Sequence, residues 1–111
     1  MELSPGEVWW AAPDPSVGRE QTGRRPVVII SNADYLDAVT TLALVCPVTT
    51  TGRGWPNHVL LSAASGLDQP SYAMTEQIKV ISRERLVLRA GSITDACLED
   101  IRQWVRDFLV D

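Results

Sequence analysis

The chain has little of what would place it in several common classes. It has no run of about 18 apolar residues, the length a helix needs to cross a bilayer. Its opening, Met1-Glu-Leu-Ser-Pro5, has neither the basic stretch nor the apolar core of a secretory signal. It has one histidine and two cysteines. His58 is the only imidazole that could join Cys46 and Cys97, which is too few for a zinc site. No metal or other cofactor is expected. The cysteines, in apolar contexts, are expected to be reduced core thiols of a cytoplasmic protein, and His58 to be structural or solvent-facing. Positive charge is also scarce. Ten Lys and Arg against fourteen Asp and Glu leave a net charge of −4, which argues against tight, extended, non-specific nucleic-acid binding. No repeat or low-complexity segment is present.

The acid excess is unevenly placed. Residues 91–111 hold five acids and two arginines, so the remainder is close to neutral. A local arginine cluster in that remainder can still hold a short RNA segment. The length of 111 residues and the 45% hydrophobic content fit one globular domain over 1–111. Such a small domain buries a limited share of its surface and gains from association.

The pattern of elements is mostly short strands. Gly6 to Ala11 reads as a first strand with Trp9 and Trp10 on opposite faces. Pro13-Asp-Pro15 breaks it and opens a long loop. Val27 to Ser31 is nearly all β-branched and reads as a buried central strand. Asn32 to Asp37 reads as a turn or one helical turn. Leu42 to Val48 is another apolar strand, with Pro47 near its end, where a lost ladder bond is tolerable. Thr50 to Pro56 reads as a hairpin loop leading to a short strand at Val59 to Leu61. Ser65 to Pro70 is a second turn, and short strands follow at Ser71 to Met74, Lys79 to Ile81 and Leu86 to Arg89. Cys97, Leu98, Ile101, Trp104, Val105, Phe108 and Leu109 form one apolar stripe at helical spacing. Thr94 is placed to cap that helix, with Asp95 beside its positive end. The sum is a mainly β, α+β domain: a small curled antiparallel barrel with a packed C-terminal amphipathic helix.

The densest concentration of functional chemistry is Val17-Gly-Arg-Glu-Gln-Thr-Gly-Arg-Arg-Pro-Val-Val-Ile-Ile30. A polar, glycine-bracketed loop runs directly into the central strand, a common way to present reactive groups on a rigid edge. Arg19, Arg24 and Arg25 fall within seven residues, and planar guanidinium groups grip phosphate in bidentate fashion.

The segments GEVWW (Gly6 to Trp10), VGREQTGRRPVVII, CPVTT (Cys46 to Thr50) and EQIKVISRERL (Glu76 to Leu86), in that order, resemble the MazF/PemK toxins of type II toxin–antitoxin systems. GREQTGRRP is the most specific part, close to that family's Gly-x-Glu-Gln-x-Gly-x-Arg-Pro. The resemblance spans nearly the whole chain. It implies an SH3-like barrel of the CcdB/MazF type and metal-independent, sequence-specific cleavage of single-stranded RNA. In that reaction the 2′-hydroxyl attacks the adjacent phosphate and leaves a cyclic phosphate and a 5′-hydroxyl. It also implies a homodimer and an antitoxin whose flexible segment covers the toxin. To meet the arginine loop, that segment is expected to be acidic and to order on binding.

The same resemblance assigns roles. Arg25, directly before Pro26, matches the family's catalytic arginine. Its high intrinsic pKa favours electrostatic clamping of the scissile phosphate over base chemistry. Pro26 restrains Arg25 to extended backbone. Thr49 matches the catalytic threonine, a hydroxyl able to support a phosphorane oxygen, although Thr50 and Thr51 stand beside it. Glu20 is the loop acid, acting as base or orienting Arg25 through an ion pair. Gln21 is suited to a base edge. Arg19 and Arg24 depart from the smaller residues common at their places and either add phosphate contacts or are simply solvated. Thr50, Arg53 and Gln77 join the expected RNA-binding set, with Glu76 and Gln77 shaping the groove. Trp55, between Gly54 and Pro56, is suited to stacking a base, anchoring a partner or packing in the core. The competing reading is a non-catalytic, CcdB-like toxin that binds DNA gyrase. Arg25 together with Thr49 is the feature that favours RNA cleavage over it.

Overall fold

The computed structural model describes residues 2–13 and 23–110. Among them, seven strands and two α-helices follow in the order β1 (Glu7–Ala11), β2 (Arg25–Ile29), α1 (Ala33–Ala38), β3 (Leu42–Thr49), β4 (His58–Leu60), β5 (Tyr72–Met74), β6 (Lys79–Ser82), β7 (Leu86–Ser92) and α2 (Asp95–Leu109). The strands pair antiparallel in the order β4-β5-β3-β2-β1-β7, and β6 also pairs with β3. β3 is therefore shared by three ladders. Its first half, Leu42 to Val45, faces β6, its middle, Val45 to Pro47, faces β2, and its end, Val48 and Thr49, faces β5.

The β-branched run of β2 is explained by its neighbours. Val28 and Ile30 belong to one buried cluster with Val8, Cys46, Val48, Leu98 and Ile101, under α2. Val27 and Ile29 belong to a second cluster on the other face with Val45, Ile81, Leu86 and Leu36 of α1. A strand covered on both faces needs apolar side chains at every position, which removes the alternation of a half-exposed strand. α2 begins as expected. The Thr94 side chain accepts from the Cys97 amide, and Cys97, Leu98 and Ile101 are buried. The helix is tied to the sheet by Arg102, whose guanidinium donates twice to the Ile30 carbonyl, at 3.0 and 3.1 Å. α1 ends against Arg83, which donates to the carbonyls of Leu36, Val39 and Leu42 and so satisfies acceptors a helix end leaves open.

Two expectations change. Thr50 to Pro56 is not a hairpin loop. β3 and β4 do not pair with each other; both pair with β5, which lies between them. The segment crosses over β5 instead of turning back on β3. The barrel is also left open, since among the described residues no ladder joins β4 to β7. In its place the turn at Ala63–Ser65 lies against β7, backbone to backbone at Gly66 and Gly91, and the Ser62 hydroxyl accepts from the Thr94 amide. No helix of the described residues is long and apolar enough to cross a membrane.

Cys46 and Cys97 are both free and buried. Burial, reinforced by the negative charge of Glu76, pushes the Cys46 thiol up to about 12. Because the thiolate is the reactive form, Cys46 is almost wholly an unreactive thiol at pH 8. Iodoacetamide at pH 8 is therefore expected to leave Cys46 unlabelled in the folded chain and to modify it in urea, as read by peptide mass spectrometry. Rapid labelling without denaturant would contradict this packing.

Candidate active site

Arg25 opens β2 and Thr49 closes β3. The β2–β3 ladder pairs Val27 with Pro47 and Val28 with Cys46. Arg25 and Thr49 each lie two residues beyond the last pair, Val27 and Pro47, at the same end of that ladder. Beyond them, Ala11 of β1 lies opposite Arg25 and Tyr72 of β5 lies opposite Thr49. Directly opposed residues share a face, as do residues two apart in one strand, so these positions bring a guanidinium and two hydroxyl side chains to one side of the sheet. Arg25 is exposed and Thr49 half-buried. The Thr49 hydroxyl accepts from the Thr51 amide at 3.1 Å. This fixes the local turn and separates the roles of the neighbouring threonines: Thr49 is bound at the strand end, whereas Thr50 and Thr51 are exposed beyond it.

Two clefts meet at this pair. One, of 780 Å³, is lined by Arg25, Thr49, Gln77, Lys79 and Arg85 together with Pro13 and Gly23. Its described lining holds three cations and no carboxylate. The second, of 600 Å³, is lined by Trp10, Arg24, Arg25, Thr49, Thr50 and Asp68 among others. An uncompensated cationic groove attracts a polyanion even when the whole chain carries the opposite sign.

The expected site residues are thus partly assembled. Arg25, Thr49, Arg24, Thr50 and Gln77 line the two clefts. Arg53 and Trp55 stand apart on the crossover. Trp55 is 49% exposed, its ring 4.9 Å from that of His58 and 5.7 Å from the Arg53 guanidinium carbon. It is a surface platform rather than a core residue. His58 is buried and hydrogen-bonded to Glu76, the structural alternative of its two expected places. Arg19, Glu20 and Gln21 lie outside the described residues. Three lining or flanking residues escaped the sequence reading: Lys79, Arg85 and Tyr72. Arg85 also braces the stem before residue 14, its Nε donating to the Ala12 carbonyl at 2.9 Å and its own carbonyl accepting from the Ala12 amide. Lys79 opens β6, and Arg85 ends the 3₁₀ turn Arg83–Arg85 that follows it; in the sequence both are single charges with no motif of their own. The register of β6 against β3, which pairs Lys79 with Val45, is what brings that strand to the groove.

A family of PemK-like, MazF-like toxins of type II toxin–antitoxin systems matches residues 4–109. The chain belongs to this family. Among MazF relatives, it is 37% identical over 103 residues to endoribonuclease MazF9 of Mycobacterium tuberculosis (strain ATCC 25618 / H37Rv), covering 86% of each chain. It is 34% identical over 98 residues to the endoribonuclease toxin MazF of Escherichia coli (strain K12), covering 87% of this chain and 85% of that one. The fold superposes on a MazF chain from a MazE–MazF crystal structure of Deinococcus radiodurans with a TM-score of 0.82 at 28% identity, covering 98% of this chain and 96% of that one. The resemblance drawn from GREQTGRRP and CPVTT therefore holds for the family and for the fold.

Proposed function

We propose that this MazF/PemK toxin is an endoribonuclease that cleaves single-stranded RNA at the junction of the two clefts. The observation that carries the reading is that Arg25 and Thr49 line both clefts, one of them also lined by Lys79 and Arg85. In the reaction the 2′-oxygen attacks the adjacent phosphorus and loses its proton. The bond from phosphorus to the 5′-oxygen breaks, and that oxygen takes a proton. The products are a cyclic phosphate and a 5′-hydroxyl. Arg25 supplies the positive charge that the phosphorane needs, in a fork that matches two of its oxygens. Thr49 supplies a hydroxyl to a third position. Glu20 is assigned the proton transfer or the orientation of Arg25. Arg24, Thr50 and Arg19 serve the flanking phosphates. Gln21 and Gln77 serve base edges, and Trp55, beside Arg53, serves as a stacking platform.

Relatives named as endoribonucleases over more than four fifths of the chain support this reading over a gyrase-binding toxin. The partner is an antitoxin, as in the MazE–MazF complexes of similar fold. The working form is a cytoplasmic homodimer of a single 1–111 domain, an association supported by the exposed apolar side chains Val87 and Leu88 on edge strand β7. The test is incubation of the purified chain with a long single-stranded RNA in excess EDTA. Discrete fragments ending in 5′-hydroxyls are expected, with a DNA copy of the same sequence left intact because it lacks the attacking group. Intact RNA under all conditions would overturn the reading.

A further inference from the structure

His58 and Glu76 are 18 residues apart in sequence. They meet because β4 pairs with β5, with His58 opposite Met74, which carries the imidazole to the 3₁₀ turn Thr75–Gln77. His58 Nε2 lies 3.0 and 3.1 Å from the two carboxylate oxygens of Glu76. The His58 side chain is 2% exposed, and its Nδ1 is buried without a hydrogen-bond partner. An orphaned lone pair costs less than an orphaned N–H, so the proton belongs on Nε2, which donates it to Glu76. Asn57 Nδ2 donates to Oε1 of the same carboxylate at 2.8 Å and to the Thr75 hydroxyl at 3.2 Å, which in turn donates to the Asn57 carbonyl at 2.8 Å. Burial alone would raise the Glu76 carboxyl. Hydrogen bonds from His58, its own backbone and Gln77 outweigh it and hold the group below its ordinary value. Glu76 is thus a fixed, acceptor-only group held from three sides.

Gln77 Nε2 donates to Glu76 Oε2 at 3.4 Å, and Gln77 lines the cationic groove. A free glutamine amide presents its donor or its acceptor end with equal ease. An amide whose nitrogen must face a fixed carboxylate turns its oxygen the other way. Resting on the ribonuclease reading, we propose that Glu76 is a positioning residue that sets the orientation of the Gln77 amide and thereby makes the groove prefer cytosine over uracil at one position of the RNA. Cytosine carries an amino donor where uracil carries a carbonyl oxygen; the Gln77 oxygen accepts from the first and repels the second. Buried His58 and half-buried Asn57, the latter tied to buried Thr75, keep the carboxylate from turning with the amide.

The test compares kcat/KM for RNA oligonucleotides with single cytosine-to-uracil changes on each side of the cleaved bond. Wild type is expected to prefer cytosine at one position by about fivefold to tenfold, the worth of one neutral hydrogen bond. Glu76→Gln places a donor beside Gln77, draws its oxygen inward, and is expected to erase or invert that preference. Gln77→Ala removes the preference, and adding Glu76→Gln to it is expected to leave the ratio unchanged, since the effect runs through Gln77. Glu76→Asp, which keeps both acceptors, is a second variant expected to retain the sign of the preference. Equal loss on every substrate in Glu76→Gln, an unchanged effect in the Gln77→Ala background, or no cytosine preference in wild type would overturn the inference. RNA left uncut by wild type would instead overturn the ribonuclease reading beneath it.

Discussion

Arg25→Ala is expected to lower the rate of RNA cleavage by about 10²- to 10³-fold, the usual cost of removing one preorganised charge-stabilising donor. Arg25 stands at the first residue of a strand whose next four residues are half-buried or buried, with extended backbone enforced by Pro26. Its guanidinium therefore starts from a rigid base, and little reorganisation is needed as charge develops. Arg25→Lys is not expected to restore the rate, because a point charge cannot match two phosphoryl oxygens at once. RNA binding should weaken far less than cleavage. The loss of one phosphate contact takes about 0.7 from the slope of log affinity against log salt for a single strand, while Lys79 and Arg85 remain in the groove. The measurement is single-turnover cleavage alongside a salt titration of binding. Cleavage at the wild-type rate would remove Arg25 from the chemistry. Equal losses in binding and cleavage would reduce it to an anchor.

The second large effect is expected on stability. Gly66 has φ +80°, and a Cβ placed there would lie 1.9 Å from the Ala90 carbonyl oxygen. From the other side, a Cβ on Gly91 would lie 2.4 Å from the Ala64 carbonyl oxygen. Both glycines are demanded by one contact, the approach of the 63–66 turn to β7 that stands where a closing ladder would be. Gly66→Ala carries the left-handed backbone penalty of about 1–2 kcal/mol and a clash with backbone, which cannot swing aside, of about 1–3 kcal/mol more. Together these lower the melting temperature by at least about 10 °C for a domain of this size. Gly54→Ala separates the two contributions, since Gly54 has φ +75° and open space around it. It is expected to lose only the conformational part. Equal shifts for the two variants in thermal denaturation followed by circular dichroism would show that the close approach carries no cost.

These two predictions differ in how far they could be read ahead of the structure. Arg25 and Thr49 were singled out by the family resemblance of GREQTGRRP and CPVTT and not by local chemistry, since a threonine ending an apolar strand is an ordinary β-former; the clefts that both line could not be read from either segment. The strands β2 and β3 and the helix α2 were legible from local pattern, the strands as continuous apolar, largely β-branched runs and α2 as a stripe at helical spacing. The crossover at 50–57 was not. A polar, glycine-containing connection looks the same whether the next strand returns to its predecessor or skips past it. The three-residue β4 gives no pattern that would name β5 as its partner. The His58–Glu76 pair is hidden in the same way, because nothing near His58 in sequence announces a carboxylate 18 residues on. Gly66 and Gly91 read as ordinary turn and strand-end residues until the backbones they bring together are seen.

The sharing of β3 among three neighbours has a consequence for how the molecule loosens. Exchange of a buried amide with solvent requires the opening of whatever holds it, and cooperative units open together. β3 cannot lose β2, β5 or β6 singly and become free, so its amides belong to the last unit to open. Thr49 is at the end of that unit, and Arg25 borders it through the β2 ladder. The strand ends that carry them are therefore among the last to separate, while the exposed crossover carrying Trp55 opens at lower cost. Base stacking on Trp55 and chemistry would then fail at different temperatures, the first below the second.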